Sequence, residues 1–194
     1  MLVTIHQPEH FPYMGFFEKM KESDLFILLD DVQYKKNNWQ NRNKFLNKNG
    51  VEEFFGVQVE SGSTKKLIKD VNVVDGQWRS KVVKKLKHNF NIDFTKIYSG
   101  NSLLEINLQT INWVRKKLNI STPMLYSSTL NINTKGTQRL VDICKKVNAT
   151  EYLSGQGGKD YLDVSLFENE KIKIIYHKPN LKNYYSAIYN VKTI

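Results

Sequence analysis

Hydrophobic and polar positions along the chain alternate between two patterns, which predict strands and helices in turn. Residues 2–5 and 25–29 are short, continuous apolar runs, typical of strands buried on both faces of a parallel sheet. Between them, Pro12 stands near the start of a segment with Phe16, Phe17 and Met20 on one helical face. This order of strand, short helix and strand predicts a βαβ unit with parallel strands.

The rest of the chain predicts a hairpin, followed by alternating helices and strands. Asn49-Gly50 lies between two apolar stretches of residues 44–59, and this dipeptide favours a tight hairpin turn. Apolar residues at helical spacing predict helices over residues 77–90, 103–118 and 137–147. Short apolar runs predict further strands over residues 67–74, 123–130, 151–153 and 172–176. We therefore expect an α/β fold, with a mostly parallel sheet, flanking helices and an inserted β-hairpin.

Composition narrows the class of protein. The chain has 194 residues, of which 40% are hydrophobic and 25% are charged, as in ordinary globular proteins. Because no linker or internal repeat interrupts it, we expect one domain over residues 1–194. Cys144 is the single cysteine, so no internal disulfide can form. No membrane-spanning run and no signal peptide are evident, which predicts a cytoplasmic protein.

A net charge of +10 allows two interpretations. A concentrated basic surface would indicate a nucleic-acid partner or another anionic ligand. A lysine-rich solvated surface would carry the same charge without a partner. The second interpretation is favoured because the lysines scatter over several predicted elements instead of forming one stripe. Nucleic acid is therefore not the expected partner.

Polar side chains follow the first two predicted strands at the point where each strand ends. His6 follows the apolar run of residues 2–5, and Asp30 and Asp31 follow the run of residues 25–29. Ligands of open α/β sheets bind beyond the carboxyl ends of the strands. We therefore expect one aspartate to orient His6 for proton transfer or phosphate contact. The alternative is that His6 bonds to a loop carbonyl while the aspartates cap a turn.

Further polar groups cluster in the same region and in a glycine-rich stretch. Arg42 is suited to bidentate binding of phosphate or carboxylate. Gly15 would let an anion approach the start of a helix. Residues 154–158 follow a predicted strand and resemble a phosphate cradle in composition, although a tight connection is the alternative. The expected substrate-binding residues are Gln7, Tyr13, Gly15, Lys19, Gln33, Lys35, Asn41, Arg42, Asn43, Ser154, Gly155 and Gln156.

Metal-ligand patterns are weak in this sequence. The four histidines and Cys144 lack zinc-ligand spacing, so no resident metal is expected. Asp30 or Asp31 could hold Mg²⁺ if the substrate carries phosphates.

Several of these segments together resemble the WbqC-like family. The resemblance covers nearly the whole chain and is carried by Ile5-His6-Gln7-Pro8, residues 12–19, Asp30-Asp31-Val32-Gln33-Tyr34-Lys35, Asn41-Arg42-Asn43, residues 134–140, Tyr152-Leu153-Ser154-Gly155, and Tyr161-Leu162-Asp163 with Phe167. Members usually continue past a final tyrosine-containing segment into another short apolar motif, so we expect that last element, with any site group it supplies, to be missing or replaced here. The start of the chain is also similar to that of HIGH-type nucleotidyltransferases, although Phe16 follows Gly15 where the second histidine would be.

The resemblance implies a bacterial enzyme of surface-polysaccharide or O-antigen precursor biosynthesis. The expected reaction is acyl or aminoacyl transfer, for example of glycine, to a nucleotide-linked amino sugar. The cofactor would be either ATP or an acyl or aminoacyl donor, and an acyl-carrier protein would be a partner if it presents that donor. The alternatives are a nucleotide-sugar-binding or adenylating protein, and then a basic nucleic-acid-binding protein.

Overall fold

A computed structural model describes residues 1–191, and the chain folds into two units. The sheet unit comprises Met1–Gln7, Gly15–Leu29 and Ser121–Leu181. The hairpin unit comprises Pro8–Met14, Asp30–Ile120 and the segment that begins at Lys182. The expectation of one domain over residues 1–194 stays a prediction. None of the helices in residues 1–191 has both the length and the apolar composition that a membrane crossing requires.

Within residues 1–191, the two units contain seven strands and six α-helices. The strands are β1 (Leu2–His6), β2 (Leu25–Leu28), β3 (Arg42–Leu46), β4 (Glu52–Gly56), β5 (Met124–Tyr126), β6 (Glu151–Ser154) and β7 (Lys173–Tyr176). The helices are α1 (Met14–Glu22), α2 (Trp78–Phe90), α3 (Leu103–Lys117), α4 (Gly136–Lys146), α5 (Val164–Asn169) and α6 (Ala187–Val191). Short 3₁₀ helices connect several of them.

All five strands of the sheet unit are parallel, in the order β5-β2-β1-β6-β7. Residues 3–5 of β1 and 26–28 of β2 are buried without alternation, as expected for strands of a parallel sheet that is covered on both faces. Helix α4 presents Leu140, Val141, Ile143 and Cys144 to the core of this unit. Tyr152 of β6 stacks on Phe167 of α5 inside the same core. These contacts confirm the α/β class with a mostly parallel sheet.

The hairpin unit is built around the antiparallel pair β3 and β4. Gly50 has a φ of +74° in the connecting turn, a conformation that glycine adopts without strain. Asn49-Gly50 therefore marks the turn, and the predicted inserted hairpin is confirmed. Phe45 and Phe55 project from the two strands into an aromatic core, where Phe45 contacts Phe90 of α2.

Two strand predictions need correction. Residues 67–74 form a 3₁₀ helix, Ile68–Asp70, followed by isolated bridges at Asn72 and Val73. Buried Ile68 and Val71 gave this segment an apolar pattern, but it lies along a loop and extends neither sheet. The strand predicted over residues 123–130 ends at Tyr126, where the 3₁₀ helix Ser127–Thr129 begins. The helices predicted over residues 77–90, 103–118 and 137–147 are present within one residue at each end.

Candidate functional site

The strand order of the sheet unit reverses direction between β1 and β6. From β1 the sheet extends through β2 to β5 on one side, and β6 and β7 are added on the other side. Ligands of open α/β sheets bind outside the carboxyl ends of the strands at such a reversal. His6 ends β1 and Ser154 ends β6, so both residues flank this point. The topology thus singles out one stretch of the sheet edge.

The pairing between β1 and β6 stops before this edge. Leu2 pairs with Glu151 and Val3 with Tyr152, and the register between these two strands ends there. One residue later, Thr4 Oγ1 donates a hydrogen bond of 2.7 Å to the carbonyl of Leu153 in place of a backbone donor. In contrast, β6 stays paired with β7 through Ser154. Strands β1 and β6 therefore share no backbone ladder at their carboxyl ends, which leaves room for a crevice.

His6 is partly buried at this edge of the sheet, with its ring edge-on to Phe16 at 4.9 Å between ring centroids. Its Nδ1 lies 3.0 Å from the carbonyl oxygen of Gln7. Because a carbonyl only accepts hydrogen bonds, we assign the ring proton to Nδ1. Burial lowers the pKa of His6 to about 3, and the nearby charge of Lys19 lowers it further. His6 is therefore neutral near pH 7, with an unprotonated Nε2.

Lys19 brings a cation to the same edge from helix α1. Its side chain is buried, with only 2% of the residue exposed. A Cβ added to Gly155 would lie 3.7 Å from Lys19 Nζ, so the glycine loop passes close to the ammonium group. A cation beside a neutral imidazole favours the binding of an anion. Such an anion would also offset the effect of Lys19 on the pKa of His6.

The glycine-rich loop after β6 is ordered by its own contacts. Gln156–Asp160 form a 3₁₀ helix, and a Cβ on Gly158 would overlap the buried Ser154 hydroxyl oxygen. Gly158 is thus required by close packing. Gln156 Nε2 donates to the carbonyl of His177, the residue after β7. The Gly155 carbonyl accepts from the N–H of Gly158, but none of these contacts involves the approach of Gly155 to Lys19, so both interpretations of the loop stay open.

His177 was not among the predicted site residues. It follows β7 as His6 follows β1, and 4% of the residue is exposed. Its Nε2 lies 3.4 Å from Glu18 Oε2 and 3.5 Å from Glu22 Oε1, both on α1. The backbone N–H of Asn180 also donates to Glu18. The signal available in the sequence was its position directly after an apolar run, the same signal that selected His6.

Gln7 and Gly15 are the remaining predicted site residues of the sheet unit. Gln7 is partly buried and accepts the hydrogen bond from His6 through its carbonyl. Gly15 is buried and is the second residue of α1. The structure thus brings His6, Gln7, Lys19 and Gly155 together on one unit. Their roles as substrate contacts stay predictions.

The other predicted residues belong to the hairpin unit. Asp30 is buried, and its carbonyl accepts from the N–H of Lys69 at 2.9 Å, whereas Asp31 is partly buried. An orienting contact between His6 and either aspartate would join residues of the two units and stays a prediction. Tyr13 is partly buried and forms an isolated bridge with Ser186.

Five further predicted residues lie on or near the hairpin. Lys35 is exposed, and Arg42 packs its guanidinium 5.0 Å from the centroid of the Phe54 ring. Gln33 Nε2 donates to the carbonyl of Thr64 at 2.8 Å, which ties it to a neighbouring loop. The other two use their side-chain amides within the unit. Asn41 Nδ2 donates to Val57, and Asn43 Nδ2 donates to the carbonyls of His10 and Phe11.

A buried polar network in the hairpin unit was also missed. His10 is fully buried, with Nε2 at 2.9 Å from the Tyr98 hydroxyl and Nδ1 at 3.3 Å from Asn107 Oδ1. Asn107 Nδ2 donates to the carbonyls of Pro8 and Gln40. Burial lowers the pKa of His10 to about 3, against the opposing effect of its bond to Asn107. Because each side-chain polar group of His10 and Asn107 is engaged, we infer that this network stabilises the hairpin unit.

Metal-ligand geometry gives no candidate in the part of the chain that the structure describes. Within residues 1–191, no group of three or more His, Cys, Asp or Glu side chains could hold a metal ion.

Comparisons with known proteins place the chain in a family. It is 28% identical over 186 aligned residues to the uncharacterized protein Rv1507c of Mycobacterium tuberculosis strain H37Rv, with 89% of this chain and 80% of that protein covered. No solved structure matches the chain significantly. The similarity of its start to HIGH-type nucleotidyltransferases therefore stays a prediction. The model of the WbqC-like protein family matches residues 7–191, and the chain belongs to that family.

Proposed function

We propose that this protein is an enzyme of bacterial surface-polysaccharide precursor biosynthesis that transfers an acyl or aminoacyl group to a nucleotide-linked amino sugar. The observation that carries the proposal is the neutral His6 at the switch point of the sheet, beside the buried cation of Lys19. Membership of the WbqC-like family, which is associated with polysaccharide gene clusters, supports the substrate class.

In this proposal Lys19 binds an anionic group of the substrate. The bound anion compensates the ammonium charge, so the pKa of His6 rises from its low value in the free protein. A base with a pKa of about 3 is a poor proton acceptor near neutral pH, and the shift makes it a better one. Substrate binding thereby activates the base.

The chemical step is nucleophilic substitution at the acyl carbonyl. The sugar amine attacks the carbonyl carbon of the donor, a C–N bond forms, and the bond from that carbon to the leaving group breaks. His6 Nε2 accepts the proton that the amine loses and returns it to the leaving group, so no oxidant or reductant is consumed. Gly155 leaves the loop backbone close to Lys19, where the anionic group binds.

The test combines binding and turnover with purified protein. Thermal shift against UDP- and dTDP-amino sugars, with and without Mg²⁺, identifies an acceptor, because a ligand of the folded state raises the midpoint. Mass spectrometry then detects the acylated sugar with acetyl-coenzyme A, or with glycine and ATP, as donor. We expect His6→Ala to lower turnover by about a hundredfold or more. The matched control is His88→Ala, which removes an exposed histidine of α2.

Each outcome decides between functions. Full turnover by His6→Ala would remove this histidine from the mechanism. Binding of a nucleotide sugar without a product from any donor would favour a binding protein. A thermal shift with ATP alone would favour an adenylating enzyme. An affinity for nucleic acid that falls steeply with salt would favour a nucleic-acid-binding protein instead.

A further inference from the structure

A second candidate site lies wholly in the hairpin unit. A cavity of about 360 Å³ is lined by Tyr34, Lys36 and the loop of residues 59–64. Small-molecule sites commonly measure about 300–1,000 Å³, so this cavity can hold a small ligand or one end of a larger one. The proposed transferase mechanism makes no use of it.

Tyr34, one of the lining residues, has an unpaired hydroxyl within residues 1–191. Only 1% of the residue is exposed, yet its hydroxyl has no hydrogen-bond partner within residues 1–191. A buried polar group without a partner is costly, and native proteins rarely keep one without a use. Burial raises the pKa of Tyr34 to about 12, so the hydroxyl keeps its proton and can donate it to a ligand.

The loop that lines the cavity offers backbone donors in a fixed conformation. Gly62 has a φ of +78°, and no atom lies within 4 Å of a Cβ built there. Gln33 holds the loop through the Thr64 carbonyl, and Ser63 Oγ donates to the Glu60 carbonyl at 2.7 Å. Within residues 1–191, the N–H groups of Gly62, Ser63 and Thr64 donate to no protein acceptor. Successive free N–H groups in a turn form an anion-binding concavity.

The charges around the cavity also favour an anion. Lys36 lines it and is exposed. The positive charge of Arg42 is close enough to lower the pKa of Tyr34 against the effect of burial. Glu60 is the one acidic side chain in the lining, and its carboxylate is already compensated by Lys66 Nζ at 2.6 Å and by the N–H of Asn72 at 3.2 Å. The uncompensated groups are therefore donors and cations.

We propose that the cavity lined by Tyr34, Lys36 and the Gly62–Thr64 backbone binds the phosphoryl group of a small molecule. A phosphoryl group presents several acceptor oxygens around one centre, and this cavity is lined by a tyrosine, a lysine and a loop with unengaged backbone N–H groups. Because inorganic phosphate and a phosphorylated metabolite share this chemistry, the test includes both.

The test follows backbone amide signals of the ¹⁵N-labelled full chain by NMR. Inorganic phosphate, glucose 1-phosphate and UDP are titrated into separate samples at the same ionic strength. We expect saturable shifts of the Gly62, Ser63 and Thr64 signals. Tighter binding of glucose 1-phosphate or UDP than of phosphate identifies a phosphorylated metabolite, whereas equal binding identifies phosphate itself.

Two variants separate binding from folding. Tyr34→Phe removes only the hydroxyl and should weaken binding about tenfold, since a hydrogen bond to a charged group is lost. Its thermal midpoint should equal or exceed that of the natural chain, because the buried hydroxyl has no partner. Lys36→Gln should weaken binding to a similar extent. Tyr184→Phe and Lys48→Gln are matched controls at exposed positions of the same unit.

The proposal is overturned if none of the three probes shifts the loop signals at millimolar concentration. It is equally overturned if Tyr34→Phe and Lys36→Gln bind as tightly as their controls. Because the readout is binding at the hairpin unit, neither result depends on whether the protein is a transferase.

Discussion

His6 and His10 stand four residues apart, one in each unit, and burial lowers the pKa of each to about 3. Their surroundings differ. His10 is fully enclosed, with both ring nitrogens engaged by Asn107 and Tyr98. His6 is partly exposed, uses Nδ1 on the neighbouring carbonyl of Gln7, and lies near the charge of Lys19.

A low pKa therefore does not by itself mark a functional histidine. At His10 neutrality follows from burial, and a closed network holds the ring, in which Asn107 accepts from Nδ1 and the Tyr98 hydroxyl donates to Nε2. At His6 neutrality depends partly on a cation that a ligand can compensate. We therefore expect His10 to govern stability and His6 to respond to ligands.

The largest expected effect is the loss of stability in mild acid. The folded-state pKa of each histidine is about 3 against 6.5 when unfolded, so below pH 6.5 the unfolded chain binds protons that the folded chain does not. Each histidine then lowers the free energy of unfolding by up to about 1.4 kcal/mol per pH unit. Urea unfolding should therefore show a loss of about 3 to 5 kcal/mol between pH 7 and about pH 4.5.

Most of this window lies above about pH 5, where the lowered carboxyl pKa values of Glu53 and Glu60 begin to reduce stability. In His6→Ala the free energy of unfolding should fall with pH about half as steeply as in the natural chain, because only one of the two histidines remains to bind a proton on unfolding. An unchanged free energy of unfolding across the window would show that neither histidine is held neutral by the fold.

The next largest effect separates the two histidines by stability. His10→Ala should lower the free energy of unfolding by about 3 kcal/mol, because it opens a cavity and removes the partner of both Asn107 Oδ1 and the Tyr98 hydroxyl. His6→Ala should cost only about 1 kcal/mol, since that side chain is partly exposed. Urea unfolding at pH 7 measures the loss of free energy of unfolding in each variant. Equal losses would contradict the expectation that His10 contributes more to stability than His6.

The smallest effect is a change in one pKa. Lys19→Met keeps the length of the side chain and removes its charge, so the pKa of His6 should rise while that of His10 stays the same. Burial remains the larger cause, and the pKa of His6 should stay below 6.5. Titration of the imidazole ¹H–¹⁵N signals follows each ring separately. A parallel rise at both histidines would indicate a general loosening of the fold.

Much of the fold was predictable because its signals are local. The apolar runs of β1 and β2, the periodic faces of α2, α3 and α4, and the Asn49-Gly50 turn each specify an element without reference to distant residues. The segment of residues 67–74 was misassigned because Ile68 and Val71 are buried from a loop. Apolar spacing records burial, and burial occurs in loops as well as in strands.

The candidate site was only partly predictable for the opposite reason. The position of His6 after a strand was readable, but the reversal of strand order between β1 and β6 depends on residues about 150 positions apart. Likewise, the cavity beside Tyr34 exists because residues 59–64 come back to it. The sequence displays Tyr34 as one more aromatic residue, and its unpaired hydroxyl appears only once the chain has folded.

Cys144 offers a practical use that follows from its place in the sheet-unit core. The residue is fully buried, and burial raises the pKa of its thiol to about 12, so the reactive thiolate is scarce in the folded protein. Alkylation of Cys144 in the natural chain should then proceed only as fast as the core opens. The alkylation rate therefore measures how often the sheet unit opens. A second cysteine engineered on an exposed loop could carry a fluorophore with Cys144 left in place.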